Sequence, residues 1–299
     1  MYTILGATGN VGREITDILI NKGEKVRLVA RSADRLLPLV GKQAVAFAGN
    51  AMDTEFLVKA FTGSDAVFTL IPPDIKAESM LAYADKIGES IARALEIAKV
   101  KYVVNLSSVG AELSEGSGLI MGLHRQEERL NRIRGLKVLH LRAAFFMENF
   151  LTNLDLINSQ SILGIAIRGD IKFSMIATKD VAAFAAERLV KRDFSGSSVR
   201  YLLGQRDLSM IDATEIISKK INKPNLVYVM LPYDEAEKGL VSAGLSPDVS
   251  RRYIEMIKAF NDGRIVARRT MGMGSTTPTS FEAFCDEVFV PLFMQRLAA

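Results

Sequence analysis

Short apolar runs alternate with longer stretches of helical periodicity along the first half of the chain. Tyr2-Thr3-Ile4-Leu5 is apolar and partly β-branched, the length of one buried strand. Val11, Ile15, Ile18 and Leu19 then recur at i, i+4, i+7 and i+8, one face of an amphipathic helix. The beat repeats with predicted strands at 26–30, 44–48, 66–70, 101–106 and 138–141. Between them the pattern predicts a helix ending near Phe61 and a long one over 76–99, with Ile87, Ile91, Leu95 and Ala98 on one face. Strands alternating with helices at this spacing predict an α/β fold built on a doubly wound parallel sheet. Past Gly204 the beat changes to a smaller mixed unit. Ser209 opens a helix to Ile221, 226–231 reads as a strand, and Ser246-Pro247 opens another helix with proline in its first turn. Gly272-Met273-Gly274-Ser275 reads as a loop.

Between the first strand and first helix stands Gly6-Ala7-Thr8-Gly9-Asn10-Val11-Gly12. Glycine lets the backbone turn tightly and lets a pyrophosphate approach the main chain. The helix start then offers free N–H groups and the positive end of its dipole to phosphates. Strand, glycine turn and helix without a gap point to a nicotinamide dinucleotide. Gly6, Thr8, Gly9, Asn10, Val11 and Gly12 are the expected contacts. An NAD-preferring site carries an acid near the end of the second strand, to hold the ribose 2′-hydroxyl. Here that place holds Arg31 and Ser32, with no acid until Asp34. A guanidinium can fork onto a 2′-phosphate, so NADP(H) is expected ahead of NAD(H). Ile71-Pro72-Pro73 closes the fourth strand, where prolines cannot extend the ladder. Ile71 and Pro72 thus form a stiff loop at a carboxyl end, where ligands bind in open α/β sheets.

Composition adds exclusions. The 299 residues are 48% hydrophobic and 24% charged, with a net charge of +4, ordinary values for a globular protein. No apolar run approaches the ~18–20 residues of a membrane span. The first strand starts at residue 2, leaving no room for a signal peptide, so a cytoplasmic protein is expected. One cysteine (Cys285) and two histidines (His124, His140) leave no metal site to expect. Basic pairs at Lys219-Lys220, Arg251-Arg252 and Arg268-Arg269 are scattered among acids, which argues against nucleic acid as a partner.

The GxxGxxG spacing resembles the extended and atypical branches of the short-chain dehydrogenase/reductase superfamily. That resemblance implies that Asn50 meets the adenine, in place of an acid. It matches Ser108 to the superfamily's serine, beside Ser107 at the end of the fifth strand. It also implies a Tyr-x-x-x-Lys pair on the following helix, and the pair is missing: Ile120 stands in the tyrosine slot and His124 in the lysine slot. Oxidation of an alcohol then lacks its usual base. His124 is expected to bond the nicotinamide ribose, and it is the one candidate for a catalytic acid. A structural or capping role is its plainer reading.

The second half is similar to the NmrA-like family. Leu141-Arg142-Ala143-Ala144-Phe145-Phe146-Met147-Glu148-Asn149 resembles that family's Leu-Arg-x-x-x-Phe-x-Glu-Asn segment. Thr178-Lys179-Asp180-Val181-Ala182, Tyr201 to Gly204 and Thr276 to Phe284 resemble its later segments in the same order. The likeness is strongest to NADPH-dependent quinone, azo-dye and triphenylmethane reductases, and extends to regulators that bind dinucleotide without catalysis. It implies that Phe146, with Phe145 and Phe150, lies near nicotinamide and substrate. Thr178 reads as an N-cap, Thr279 with Glu282 as a capping box, and Met121, Met147 and Met175 as cleft-lining.

The expected organisation is a Rossmann domain of residues 1–149 plus 176–204 and a smaller substrate unit of 150–175 plus 205–299. The expected function is NADPH-dependent hydride transfer to a quinone-like or other flat, electron-poor acceptor. The alternative is a non-catalytic NADP(H) sensor with a regulatory protein partner. A sugar-nucleotide epimerase or dehydratase is disfavoured by Ile120 and His124. Monomer and homodimer both fit the sequence.

Overall fold

The computed structural model describes residues 1–267 and 274–298. Six strands come first: β1 (Tyr2–Leu5), β2 (Val26–Ala30), β3 (Ala44–Ala48), β4 (Ala66–Thr69), β5 (Tyr102–Ser108) and β6 (Lys137–Ala143). Shorter pieces follow: β7 (Phe145–Phe146), β8 (Ile162–Ile165) and β9 (Phe173–Ile176). The last four are β10 (Ser197–Leu203), β11 (Asp207–Leu208), β12 (Val227–Met230) and β13 (Gly274–Thr276). Eight of them form one parallel sheet in the order β13-β10-β6-β5-β4-β1-β2-β3. The order reverses between β1 and β4, and a crevice opens there at the carboxyl ends of the strands.

Both faces of this sheet are covered, which is why its strands read as unbroken apolar runs. Successive residues go to opposite sides. Ile4, Leu28, Val104 and Leu139 pack under the helices Asn10–Asn21 and Thr178–Lys191. Their neighbours Leu5, Val29, Val103 and Val138 pack under Thr54–Phe61 and Met80–Ile97. A separate core, around Phe150, Ile157, Met210, Ile217, Phe281 and Phe289, holds the small sheets β11-β9-β7 and β12-β8 and the later helices.

Several local expectations are corrected. The helix expected from residue 76 starts at Met80, because Ser79 accepts from the Ala82 N–H and Asp248 accepts from the Met80 N–H at 2.8 Å. Residues 274–276 form β13 beside β10 instead of a loop, while Gly272, Met273 and the pair Arg268-Arg269 fall outside the described residues. Thr178 is not an N-cap: Ala177 holds that position, and Glu148 from the segment after β6 accepts from both the N–H and the hydroxyl of Thr178. Ser280 caps the helix attributed to Thr279, and Thr279 is bonded to Asp180. Ser79 and Ser280 are local caps, but the acceptors Asp248, Glu148 and Asp180, which also bind near these helix starts, come from distant segments that sequence alone does not bring together.

Candidate functional site

The glycine turn is held from below. The Gly6 N–H donates to the Val29 carbonyl at 2.8 Å, and the Gly6 carbonyl accepts from the Gly9 N–H at 3.0 Å. Gly6 has φ +78°, a conformation other residues rarely adopt. A Cβ at Gly12 would sit 2.2 Å from the Gly6 carbonyl oxygen, so Gly12 is fixed by the packing of helix on strand. Gly9 differs. Its φ of −88° is ordinary, and a Cβ there would meet only the Gly6 oxygen, at 3.4 Å. The protein itself would accept a side chain at Gly9, so the fold leaves room there for a group approaching from outside.

Gly9 and Asn10 are exposed at the start of Asn10–Asn21, while Val11 and Gly12 are buried beneath them. No side chain caps this helix, and its first turn carries no acid, so its N–H groups and dipole remain available to an anion. Arg31 is exposed at the end of β2, with no partner among the described residues. Ser32 caps a short helix by accepting from the Arg35 N–H at 3.4 Å. The Arg35 guanidinium then crosses to the glycine turn and donates to the Thr8 carbonyl at 2.9 Å. The sequence reading missed Arg35, although the Ser32-to-Arg35 spacing of a capped turn was the available signal. Two guanidiniums beside an open helix N-terminus suit a pyrophosphate bearing a further phosphate. Asn50 is exposed near β3, its carbonyl spent on the Met52 N–H at 3.0 Å, which leaves its amide N–H groups for a purine edge.

A cavity of about 550 Å³ opens beside this crevice, at the carboxyl ends of β4, β5 and β6. Ile71, Ser107, Ser108, Ile120 and Phe146 line it, together with Leu70, Pro73, Phe145 and Phe173. Pro72 is half-buried beside Ile71 but does not reach the wall. The far wall comes from the helix Pro247–Asn261 through Tyr253, Met256, Ile257 and Phe260. This helix is tied to the loop after β4, where Ser246 donates to the carbonyls of Ile75 (from N–H, 2.7 Å) and Ala77 (from hydroxyl, 2.6 Å). It also lies against Gly118, where a Cβ would fall 2.1 Å from the Arg252 carbonyl oxygen. Phe145 and Phe173 meet edge to face at 5.6 Å, and Phe173 and Phe260 at 4.7 Å, giving a stiff aromatic side to the cavity. Met147 and Met175 are core residues and Met121 is off the wall; Met80 and Met256 are the methionines that line it. Phe150 is likewise core.

Behind the cavity, Arg142 binds Glu127 with two bonds (2.7 and 3.1 Å), and also Glu112 and the Tyr201 hydroxyl. Burial alone would lower the pKa of Arg142, but its bonds to Glu127 and Tyr201 outweigh this and raise it, so the guanidinium stays charged. The Ser107 hydroxyl donates to the same Glu127. His140 sits at the centre of a neutral chain on the strands below. Thr69 donates to Asn105, the Asn105 amide to His140 Nδ1 at 3.1 Å, and His140 Nε2 to Asn131 at 2.9 Å. Burial holds His140 down to about 4, so the ring is neutral at pH 7. His124 lies elsewhere. Its Nδ1 donates to the Ala111 carbonyl at 2.8 Å, and its side chain does not line the cavity.

A family model for the NmrA-like family matches residues 2–270. The chain belongs to the NmrA-like family. A (4-alkanoyl-5-oxo-2,5-dihydrofuran-3-yl)methyl phosphate reductase of Streptomyces griseus is 27% identical over 279 residues, 93% of this chain and 91% of that protein. Two solved structures share the fold. A triphenylmethane reductase of Citrobacter sp. superposes with a TM-score of 0.80 at 17% identity, over 96% of this chain and 99% of that one. An NADPH-dependent quinone oxidoreductase of Escherichia coli gives 0.78 at 19% identity, over 97% of this chain and 100% of that one. No helix among the described residues is long and apolar enough to cross a membrane.

Proposed function

We propose that this NmrA-like protein is an NADPH-dependent reductase of flat, electron-poor acceptors such as quinones. The observation that carries the reading is the apolar cavity of about 550 Å³ beside the glycine crevice, whose wall runs beyond Ile71, Ser107 and Phe146 to Tyr253, Met256 and Phe260 and so leaves room for an acceptor next to a nicotinamide. In this reading Gly6, Thr8, Gly9 and Asn10 receive the pyrophosphate, and Arg31 with Arg35 receives the 2′-phosphate. Asn50 meets the adenine. Ile71, Ser107 and Phe146 border the nicotinamide, which when bound supplies a hydride. His124, half-buried at its helix start, serves at most the ribose side and not the acceptor. The aromatic wall of Phe145, Phe173 and Phe260 holds a planar acceptor and keeps out water, which is a matter of positioning. Residues 150–175 and 205–299, apart from the strand β13 that joins the large sheet beside β10, act as the acceptor unit against the sheet unit of 1–149 plus 176–204. The relatives' names support the class: a quinone, a dye and an alkanoyl-substituted unsaturated lactone are all conjugated electron acceptors.

The test is NADPH oxidation with a simple naphthoquinone, alongside direct NADPH binding. Turnover with the quinone, and none with NADP and secondary alcohols, is expected. Tight NADPH binding with no oxidation across quinones, triphenylmethane dyes and unsaturated lactones would replace this reading with the sensor.

A further inference from the structure

Resting on that reductase reading, the remaining chemical question is what replaces the tyrosine absent at position 120. The polar groups on the cavity wall can be taken one by one. Ser107 spends its hydroxyl proton on Glu127, and Ser108 spends its own on the Val109 carbonyl at 2.9 Å. Ser174 donates to Asp207 at 2.5 Å. Lys172 is 69% exposed and faces Asp212 at 3.7 Å, which puts its ammonium at the rim. Asn149 is exposed as well, and an amide gives up no proton at neutral pH. That leaves Tyr253.

Tyr253 lies on the helix Pro247–Asn261, one turn after Val249 and one before Ile257, on the stripe that faces the protein. Its hydroxyl has no hydrogen-bond partner among the described residues. The oxygen is not one of the sealed, unpartnered atoms either, so it keeps open surface, and the space Tyr253 borders is the cavity. The helix is fixed by Ser246 and Asp248 to the loop after β4, and by Gly118 to the segment before His124, so the phenol is held in place. Burial raises its pKa, so the hydroxyl carries its proton at neutral pH.

We propose that Tyr253 is the catalytic proton donor to the acceptor's oxygen. Once a quinone has accepted a hydride with its electron pair, one of its oxygens is left negative. The Tyr253 O–H bond breaks, a new O–H bond forms on that oxygen, and solvent at the cavity mouth returns a proton to the tyrosinate. The acid thus comes from the C-terminal unit, on the helix packed against the Gly118–Ile120 segment that holds the superfamily's tyrosine slot.

Two acceptors separate this role from packing. A quinone needs a proton after hydride uptake, whereas a triphenylmethane cation becomes a neutral leuco dye by hydride alone. Tyr253→Phe should lower kcat with a naphthoquinone tenfold or more, with dye turnover and the NADPH dissociation constant unchanged. In the NADP complex, the carbonyl stretch of bound naphthoquinone should lie lower in the wild type than in Tyr253→Phe, as expected for a carbonyl that accepts a hydrogen bond. Equal losses with both acceptors would make Tyr253 a packing residue. An unchanged quinone rate, or an unshifted carbonyl stretch, would hand the proton to water and overturn the proposal. A wild type that binds NADPH and reduces neither acceptor would instead sink the reductase reading, and this step with it.

Discussion

The glycine turn and the apolar cavity lie side by side yet are built by opposite means. The turn is local: residues 6–12 make it with main-chain bonds, and its surface is exposed and cationic. The cavity is assembled from strand ends, the loop after β4, the segment before His124 and a helix some 130 residues further on. Its surface is apolar side chain, and its floor rests on buried polar groups, the Arg142–Glu127 pair and the His140 chain. A binding site for a constant ligand can be written into one short backbone motif. A site for a varied ligand is written into side chains, which can change without disturbing the fold.

The sharpest test of this contrast is a pair of glycines. Gly12→Val should lose stability and NADPH binding together, because its side chain collides with the backbone of Gly6. Gly9→Ala should keep the wild-type melting temperature and still lose NADPH binding. Were Gly9→Ala to bind NADPH normally, the exposed turn would not be the phosphate site.

Acid should strain the cavity side first. His140 titrates at about 4 in the folded protein against an ordinary 6.5. The unfolded chain therefore binds the extra proton across that window, and stability falls as pH drops from 6.5 to about 4. The loss amounts to about 3 kcal/mol and is complete below the folded value. Chemical denaturation at pH 7.5 and pH 4.5 should show it in the wild type and much less in His140→Gln. Identical pH profiles for the two proteins would remove His140 as the cause.

The smallest expected effect concerns cofactor choice. If Arg31 and Arg35 grip a 2′-phosphate, each charge-assisted bond is worth roughly 1.5–3 kcal/mol. Arg31→Ala should then weaken NADPH about 10–100-fold and leave NADH nearly untouched. Arg35→Ala should weaken both cofactors, since it also releases the Thr8 carbonyl and the turn with it. Equal losses of NADPH and NADH in Arg31→Ala would break the link between that side chain and the extra phosphate.

Legibility in the sequence follows the range of the interactions. The parallel sheet could be read because its apolar runs and helical stripes are local patterns, and Ile4 beside Leu5 already reports cover on both faces. Tyr102 and Tyr201 read as strand residues and lie on β5 and β10. The failures are long-range. Thr178 looked like a cap until Glu148, thirty residues earlier, took over the task. Methionines looked like cleft lining because a flexible apolar side chain carries no mark of which side it faces; Met147 and Met175 went into the second core. Tyr253 left one faint signal, a polar tip on an otherwise apolar helical stripe.

By itself, then, the sequence determined the fold class, the glycine turn between strand and helix, and the absence of the Tyr-x-x-x-Lys pair, since each is a matter of residue type at fixed short spacing. Only the tertiary structure decided which side chains enclose the cavity. It also made Gly12 a packing residue while leaving Gly9 free, and left Tyr253 the one unpartnered hydroxyl on the wall among the described residues. Those facts depend on where distant segments meet, and the number of ways they could meet is not limited by any local pattern. Packing selects one of them, and with it the chemistry available to an acceptor.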